Sequence, residues 1–316
     1  MDEFSLIDDF FKLPSARQDV ILGVGDDAAL LDPVDERELV MCMDTLVDGV
    51  HFPIGTDAAD IAWKAVAVNL SDLAAMGAEP AWLSLALTMP QSDRDWLRRF
   101  GDGLRAACDE FDVALVGGDT TRGPLTITVH ATGHVESGTA MRRDAARVGD
   151  HLCVSGDLGA AACALHQMQT GQVDAGCSVR LNRPQPRVGL GRDLRGVSGC
   201  AIDVSDGLLA DLGHVLDASG VGVTVDLGSV PVSSAVTDAV EADDALRLAM
   251  TGGDDYELLF TIAPAHASEL EHIARRHDLP LSHIGVITET SGIDLQGSDA
   301  QLAAITEATT GYRHFG

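Results

Sequence analysis

Residues 201–216 read AIDVSDGLLADLGHVL, and the fold class is decided there. Ala201, Ile202 and Val204 give the apolar run of a short strand, and Ser205-Asp206-Gly207 a turn. Beyond it Leu208, Leu209, Leu212, Val215 and Leu216 return at helical spacing and form one apolar face. A strand that ends in a glycine turn and opens a helix is one unit of a layered α and β architecture. HLCVSGDLG (151–159) has the same form. Downstream, VTVDL (223–227), YELLFTI (256–262) and HIGVI (283–287) read as strands, and 234–250 and 264–277 as helices. The second half is expected to alternate α and β, with the strand directions left open.

Toward the N-terminus, ELVMCMDT (38–45), WLSLALTM (82–89), VALVGGD (113–119) and LTITVHATGHV (125–135) read as strands. Between them, 57–76 (DAADIAWKAVAVNLSDLAAM) and 92–111 read as helices. In the first, Ile61, Ala65, Val68, Asp72 and Met76 share a stripe, Thr56 or Asp57 offers a cap and Gly77 a stop. Charge concentrates in MRRDAARVGD (141–150), which marks a domain junction. The expectation is an α+β (mixed α/β) chain of two domains, 1–140 and 148–316. Its 316 residues fit that count at roughly 150 residues per domain.

The chain carries 21 Lys and Arg against 49 Asp and Glu, a net charge of −28, and only Lys12 and Lys64 are lysines. Such a surface repels phosphate backbones and anionic lipid, so neither nucleic acid nor membrane is an expected partner. No apolar run approaches the roughly 18 residues of a membrane span, and the acidic start MDEFSLIDDFF is unlike a signal peptide. Six scattered cysteines without a CxxC pair argue for reduced, buried thiols in a cytoplasmic protein.

Several phosphate- and metal-handling motifs are missing. Neither lysine follows a glycine as a Walker A loop requires, and there is no GxSxG elbow. GVGDDA (23–28) matches a dinucleotide fingerprint formally, yet Asp26 and Asp27 would face the pyrophosphate. His130 and His134 lack the glutamate of a zinc protease and read as core or surface histidines. What recurs instead is aspartate at the ends of apolar runs and beside glycine: GDDAALL (25–31), MCMDT (41–45), VGGDTT (116–121), IDVSDG (202–207) and TGGDDYEL (251–258). Asp72 adds an acid to an apolar stripe. Turn and cap roles explain any one of these. If the carboxylates converge, they need a compensating cation, and Mg2+ bound through carboxylates and substrate phosphates is the natural one. Glycine turns beside them admit anions to backbone N–H groups, so a Mg2+-dependent phosphate-handling enzyme is the reading.

Eight blocks in order resemble the thiamine-monophosphate kinases: GVGDDAALL, MDTLVDGVHF, AVNLSDLAAMGAEP, VGGDTTRG, RRDAARVGD, IDVSDGLLADL, GGDDYELLF and GYRHF. That family sits with aminoimidazole-ribonucleotide synthetase, selenophosphate synthetase and the hydrogenase-maturation dehydratase. The reactive cysteine of the synthetase and the terminal cysteine of the dehydratase are both missing. The resemblance implies ATP-dependent phosphorylation of thiamine monophosphate by direct in-line transfer with several Mg2+ ions. It also implies a homodimer in which the strands of the N-terminal domains pair. By the same resemblance Asp27, Met43, Asp44, Asp72, Asp119, Asp203 and Asp206 are metal positions. Gly118, Asp119, Arg143 and Ser205 would contact ATP, and His51, Glu257 and Tyr312 the thiamine substrate. Glu257 would set a carboxylate at the mouth of the substrate site. The family usually has small hydroxylic residues where Cys42 and Met43 stand, so Met43 would serve through its carbonyl. Competing roles stay open at this point. His51 could be a loop histidine, Arg142 or Arg147 could take the place of Arg143, Phe315 that of Tyr312, and Ser205 could cap the following helix. Another enzyme of the superfamily, or an acidic binding protein without turnover, are the other readings.

Overall fold

The computed structural model describes the chain except residues 1–6, 8, 14–16, 25–27, 34–35, 172 and 307–316. It divides into two compact units, residues 1–73 with 78–138, and residues 74–77 with 139–316.

The first unit is built from β1 (Val20–Leu22), β2 (Leu30–Leu31), β3 (Arg37–Val47), α1 (Ala58–Ala75), β4 (Glu79–Met89), α2 (Arg94–Phe111), β5 (Ala114–Arg122) and β6 (Thr126–Glu136). Its sheet runs β3-β6-β4-β5, antiparallel at the first two pairings and parallel at the last. Leu83, Leu85 and Leu87 of β4 turn inward, while Ser84 and Ala86 between them are more exposed. The β1–β2 ribbon covers part of the other face, where Val20, Ala29 and Leu31 pack on Trp82, Ala114 and Val116. Over β3 that face stays open, with Leu39, Met41 and Met43 exposed by half or more.

α1 departs from the amphipathic helix expected of it. Its residues from Ile61 to Ala75 are buried on nearly every side, as an all-round apolar helix must be. α2 reaches it closely because Gly103 has no side chain, and a Cβ there would stand 2.2 Å from the Ala59 carbonyl oxygen. α2 itself is capped by Asp93, whose carboxylate accepts the N–H groups of Asp95 and Trp96.

The second unit holds β7 (His151–Ser155), α3 (Ala160–Thr170), α4 (Ala175–Asn182), α5 (Val188–Leu194), β8 (Cys200–Asp203), α6 (Leu208–Ser219), β9 (Gly222–Asp226), α7 (Ser234–Thr237), α8 (Ala242–Thr251), β10 (Leu258–Ile262), α9 (Ala267–His277), β11 (Leu281–Thr288), β12 (Gly292–Gln296) and α10 (Asp299–Thr306). Its six-stranded sheet has the order β12-β9-β11-β7-β10-β8, and every pairing is antiparallel except β12 with β9. The alternation of α and β therefore does not give a parallel sheet. β10 inserts between β7 and β8, and β11 between β7 and β9, so strands related by a helical crossover are split by an antiparallel neighbour. One core, with Leu152, Val154, Ile202, Leu208, Leu212 and Leu259, fills the α6 and α8 side. A second, with Cys153, Leu190, Leu194, Ala201 and Phe260, fills the α5 and α9 side. Five of the six cysteines are buried and none is disulfide-bonded; burial pushes the Cys108 and Cys153 thiols up to about 12. Among the described residues no helix is long and apolar enough to cross a membrane.

His134 on β6 is buried and set edge-on against Trp82 at 4.9 Å, and neither ring nitrogen has a hydrogen-bond partner among the described residues. Burial first, then the charges of Arg17 and Arg37, holds its pKa below the usual histidine value. The neutral ring is the folded form, so the unfolded chain binds the proton more readily. Stability from this residue is present above pH ~6.5 and is lost as pH falls through it. His134→Phe, which keeps the aromatic contact, should show a shallower fall of melting temperature between pH 7 and 5 than the parent chain. Parallel pH curves would show that His134 takes up its proton in the fold without penalty.

Candidate functional site

The first unit sets its candidate residues on two faces of one sheet. Strand alternation puts Cys42 and Asp44 on the face away from Met43. Cys42 Sγ donates to the Asn69 carbonyl at 3.2 Å, and the Asp44 N–H donates to Asn69 Oδ1 at 3.1 Å. Asn69 is fully buried on α1, and its Nδ2 donates in turn to the Ala65 carbonyl at 3.0 Å, which fixes the amide. Asp72 follows three residues later, half-buried, on the neighbouring turn of α1. Asn69 thus ties Asp44 to the helix that carries Asp72. The Met43 side chain is 64% exposed, and a thioether is no ligand for a hard cation, so only its backbone suits that role.

Asp119 stands elsewhere. Across the sheet Thr45, Thr128, Ala86 and Asp119 form one transverse row. Three strand spacings put Asp119 about 14 Å from β3 along the sheet. The preceding Gly118 lies so close to β4 that a Cβ would meet the Leu85 carbonyl oxygen at 2.0 Å. The register of β5 slips at Gly117, and the double glycine lets the exposed Asp119 leave the strand's regular pleat.

His51 sits in the turn after β3. Its N–H donates to the Val47 carbonyl at 3.0 Å, and the Val47 N–H donates to His51 Nδ1 at 2.9 Å. The Lys64 ammonium, buried on α1, donates to the His51 carbonyl at 3.1 Å.

In the second unit Asp203 ends β8, 3% exposed, and Ser205 and Asp206 follow in a half-buried turn. Ser205 does not cap α6: the cap position is Gly207, without a side-chain hydrogen bond. Instead Asp211 Oδ2 accepts the N–H groups of both Ser205 and Asp206 at 3.0 Å. Burial, then the charges of Asp203 and Asp206 set against its two N–H bonds, pushes the Asp211 carboxyl up to about 7. The TGGDDYEL segment zips onto this turn. The Asp254 N–H donates to the Ser205 carbonyl and the Tyr256 N–H to the Val204 carbonyl, both at 2.8 Å. A Cβ on Gly253 would meet the Ser205 oxygen at 2.4 Å, so the approach requires glycine. Asp254 and Tyr256 both take positive φ, 69° and 52°, an outlying backbone held by these bonds and by Tyr256 OH to Asp254 Oδ1 at 2.9 Å.

Glu257 calls for a correction. Its carboxylate is not at a mouth but has no exposure at all. It accepts from Ser155 Oγ at 2.6 Å, from Arg180 at 2.8 Å and from Arg187 Nε at 2.7 Å, with a second, short contact to Arg187 Nη2. A carboxylate immediately before a strand buried on both faces must turn inward, and two arginines meet it there. Next to it, fully buried Asp255 accepts the Gly159 N–H at the start of α3 and is pushed well above the usual carboxylate range by burial.

Arg143 is exposed, and its carbonyl accepts from Ser219 Oγ at 2.8 Å. Its neighbours Arg142 and Arg147 line an open cavity of about 390 Å³ with Asp144, Ala145 and Ala146. Arg142 is paired with Asp144. Asp27 and Tyr312 lie outside the described residues. Among the described residues no three acidic, histidine or cysteine side chains are grouped to hold a metal ion. Within the first unit Asn69 links Asp44 to the helix of Asp72, and within the second Asp203 and Asp206 share the turn that Asp211 holds. Lys64, Asp211, Arg180 and Arg187 escaped the sequence reading. Lys64 as one of two lysines, and PQPR (184–187) in an acidic chain, were the available signals.

Comparison with known proteins matches residues 25–135 to the AIR synthase related protein, N-terminal domain, and residues 147–298 to its C-terminal domain. The chain is 42% identical to the thiamine-monophosphate kinase of Salmonella typhimurium, over 99% of this chain and 98% of that protein. It is 43% identical to that of Escherichia coli K12, with the same coverage. Among solved structures, the thiamine-monophosphate kinase of Stenotrophomonas maltophilia K279a superposes with a TM-score of 0.86 at 50% identity, covering 90% of this chain and 93% of that one. "AaThiL complexed with AMPPCP and TMP" superposes at 0.78 with 27% identity, covering 92% of each.

Glu257→Gln should lower unfolding free energy by about 3 kcal/mol or more, because it strands two partly buried guanidinium groups. Denaturant unfolding measures this directly. Adding Arg187→Met to that variant should cost less than Arg187→Met alone, since the pair is already broken. A change below about 1 kcal/mol for Glu257→Gln would mean the arginines re-pair with other groups.

Proposed function

This chain belongs to the AIR synthase related family, in its thiamine-monophosphate kinase branch, and on that premise we propose that it transfers the γ-phosphoryl group of ATP to thiamine monophosphate. The observation that carries the reading is identity above 40% across 99% of the chain with kinases of that name. The solved relative with AMPPCP and TMP supports the same pair of ligands.

The acceptor phosphate has a second pKa near ~6 and is already largely ionised at neutral pH, so the reaction needs no general base. What opposes transfer is repulsion between two polyanions. Asp27, Asp44, Asp72, Asp119, Asp203 and Asp206 are the residues that would hold Mg2+. All offer hard oxygen donors, and the crowding of Asp203 and Asp206 on Asp211 is of the kind a cation relieves. Bound Mg2+ would neutralise phosphate charge during in-line transfer. The residues proposed to meet ATP are Gly118, Asp119, Arg143 and Ser205. Gly118 would set the backbone course into Asp119 through its close approach to β4, and Asp211 would hold the Ser205 turn in place. On the thiamine side the proposal names His51 and Tyr312. Glu257 acts one layer below, as the anchor of Arg180 and Arg187. A cytoplasmic setting fits six cysteines without a disulfide, five of them buried.

A homodimer is part of the proposal. β3 is an edge strand of its sheet, and its Leu39, Met41 and Met43 are exposed together on the face that the β1–β2 ribbon leaves uncovered there. A second copy's β3 would cover it.

Release of ADP should require both thiamine monophosphate and Mg2+; equal release without the thiamine substrate would count against the reading. Asp44→Asn and Asp72→Asn should each lower turnover about 100-fold or more while the melting temperature holds. Activity falling only in step with the folded fraction would assign those acids a structural role. Met41→Asp should halve the mass seen by sedimentation equilibrium, and an unchanged mass would remove β3 from the interface.

A further inference from the structure

Two arginines meet Glu257, and one carboxylate cannot use all that two guanidinium groups offer. Each guanidinium carries five N–H donors in a planar fork. Arg180 donates through Nη2 to Glu257 Oε1 at 2.8 Å and to the Asp157 carbonyl at 3.1 Å. Arg187 donates through Nε to Glu257 Oε2 at 2.7 Å and through Nη2 to Oε1. Nε and Nη1 of Arg180 and Nη1 of Arg187 donate to no described residue. These three nitrogens are also open to solvent, because the fully buried, unpartnered side-chain nitrogens among the described residues lie on other side chains. The two arginine side chains are only 23% and 18% exposed, so the remaining donors face water from a largely desolvated setting.

Support of Glu257 does not require both arginines. Arg187 alone pairs with both carboxylate oxygens, and Ser155 Oγ adds a hydroxyl at 2.6 Å. The second guanidinium brings charge that the carboxylate does not neutralise. The other acids beside it are Asp157, 45% exposed and 3.7 Å from Arg180, and Asp255, whose carboxyl burial pushes well above the usual range and toward its neutral form. In a chain of net charge −28 this is a local concentration of positive charge. Its place is specific. The Glu257 carbonyl accepts the Val204 N–H at 2.8 Å, and Leu258 pairs with Asp203, so the anchor of the arginines is joined by backbone to the turn of Ser205 and Asp206. Gly156, with φ of +60°, brings the loop after β7 over the carboxylate, where a Cβ would collide with Glu257.

We propose that Arg180 and Arg187, held by Glu257, form a phosphate subsite that engages a substrate phosphate through the N–H groups Glu257 leaves unused. Guanidinium forks match phosphate oxygens in pairs, and they act without any cation being bound. Which phosphate the subsite takes rests on the proposed function: that of thiamine monophosphate, or one of those of ATP.

The experiment has a binding arm and a kinetic arm, both on the full chain. In the first, inorganic phosphate is titrated without Mg2+ against potassium chloride of equal ionic strength. Melting temperature is followed for the parent, Arg187→Met, Arg187→Lys and Ser155→Ala, each against its own midpoint without phosphate. A ligand bound to the folded chain raises that midpoint by mass action. Phosphate should stabilise the parent beyond the chloride control. The increment should vanish in Arg187→Met and shrink in Arg187→Lys, which keeps the charge but not the fork. Ser155→Ala removes a bond to Glu257 and none of the unused donors, so its midpoint should fall while the phosphate increment remains. Arg187→Lys carries the comparison if the methionine variant does not fold. In the kinetic arm Arg187→Met should raise KM about tenfold for the substrate whose phosphate the pair holds, and less than about twofold for the other. A rise confined to thiamine monophosphate assigns the acceptor phosphate, and a rise confined to ATP assigns the nucleotide. No phosphate increment in the parent, an increment undiminished in the Arg187 variants, or equal weakening of both substrates overturns the subsite and leaves the arginines as supports of Glu257. An increment lost with Arg187 in a chain that does not phosphorylate thiamine monophosphate keeps the subsite and defeats the proposed function instead.

Discussion

A charge buried inside a protein must be given its partner by the fold, and in this chain that requirement ties several loops to single side chains. Glu257 has no exposure and is met by Arg180 from α4, Arg187 from the segment before α5 and Ser155 from the end of β7. Four separate stretches are therefore indexed to one carboxylate at the end where β7 and β10 finish their ladder. A pair like this adds little net stability over a well-packed apolar substitute, but breaking it is expensive, so it specifies one arrangement of the loops. Asp211 does the same for the Ser205 turn, and Lys64 and Asn69 do it for the loop and strand around His51 and Asp44.

These anchors share a form. Each is a buried ionic or amide side chain whose hydrogen bonds go to main-chain groups of a segment bearing a candidate functional residue, or to the arginines beside it. Most of the candidate side chains are left half-buried or exposed, among them Asp72, Asp119, Ser205, Asp206 and His51, with Asp203 at the end of β8 the buried exception. The division of labour follows from desolvation. A group that must meet phosphate or metal has to remain accessible, and its geometry then has to come from neighbours that are not.

The strand–turn–helix rhythm of the second half was legible because 3.6-residue and two-residue periodicities are local properties of the chain. Which strands lie side by side is not local. Nothing in YELLFTI distinguishes a strand inserted between β7 and β8 from one added at an edge, so the antiparallel six-stranded order had to come from the structure. α1 illustrates another limit: its stripe of Ile61, Ala65, Val68, Asp72 and Met76 was visible, but burial on the remaining sides depends on segments distant in sequence, such as α2 at Gly103. Glu257 is the sharpest case. Its block was readable as GGDDYELLF, while the inward turn of the carboxylate depends on arginines 77 and 70 residues away in sequence.

The same distinction bears on the aspartates. A motif records that an acid follows an apolar run, and it cannot record on which side of a sheet that acid emerges. In the first unit the transverse row Thr45–Thr128–Ala86–Asp119 and the Asn69 tie to Asp44 place two acids of equivalent appearance at opposite edges of one sheet, about 14 Å apart. One hard cation spans only about 2.0–2.6 Å to each oxygen. Within one chain, strand geometry sets these two carboxylates too far apart for a single ion. If both serve the proposed phosphoryl transfer, what joins them is separate ions, the phosphate chain of a bound nucleotide or a residue of a second copy, and strand geometry poses that requirement where a count of aspartates does not.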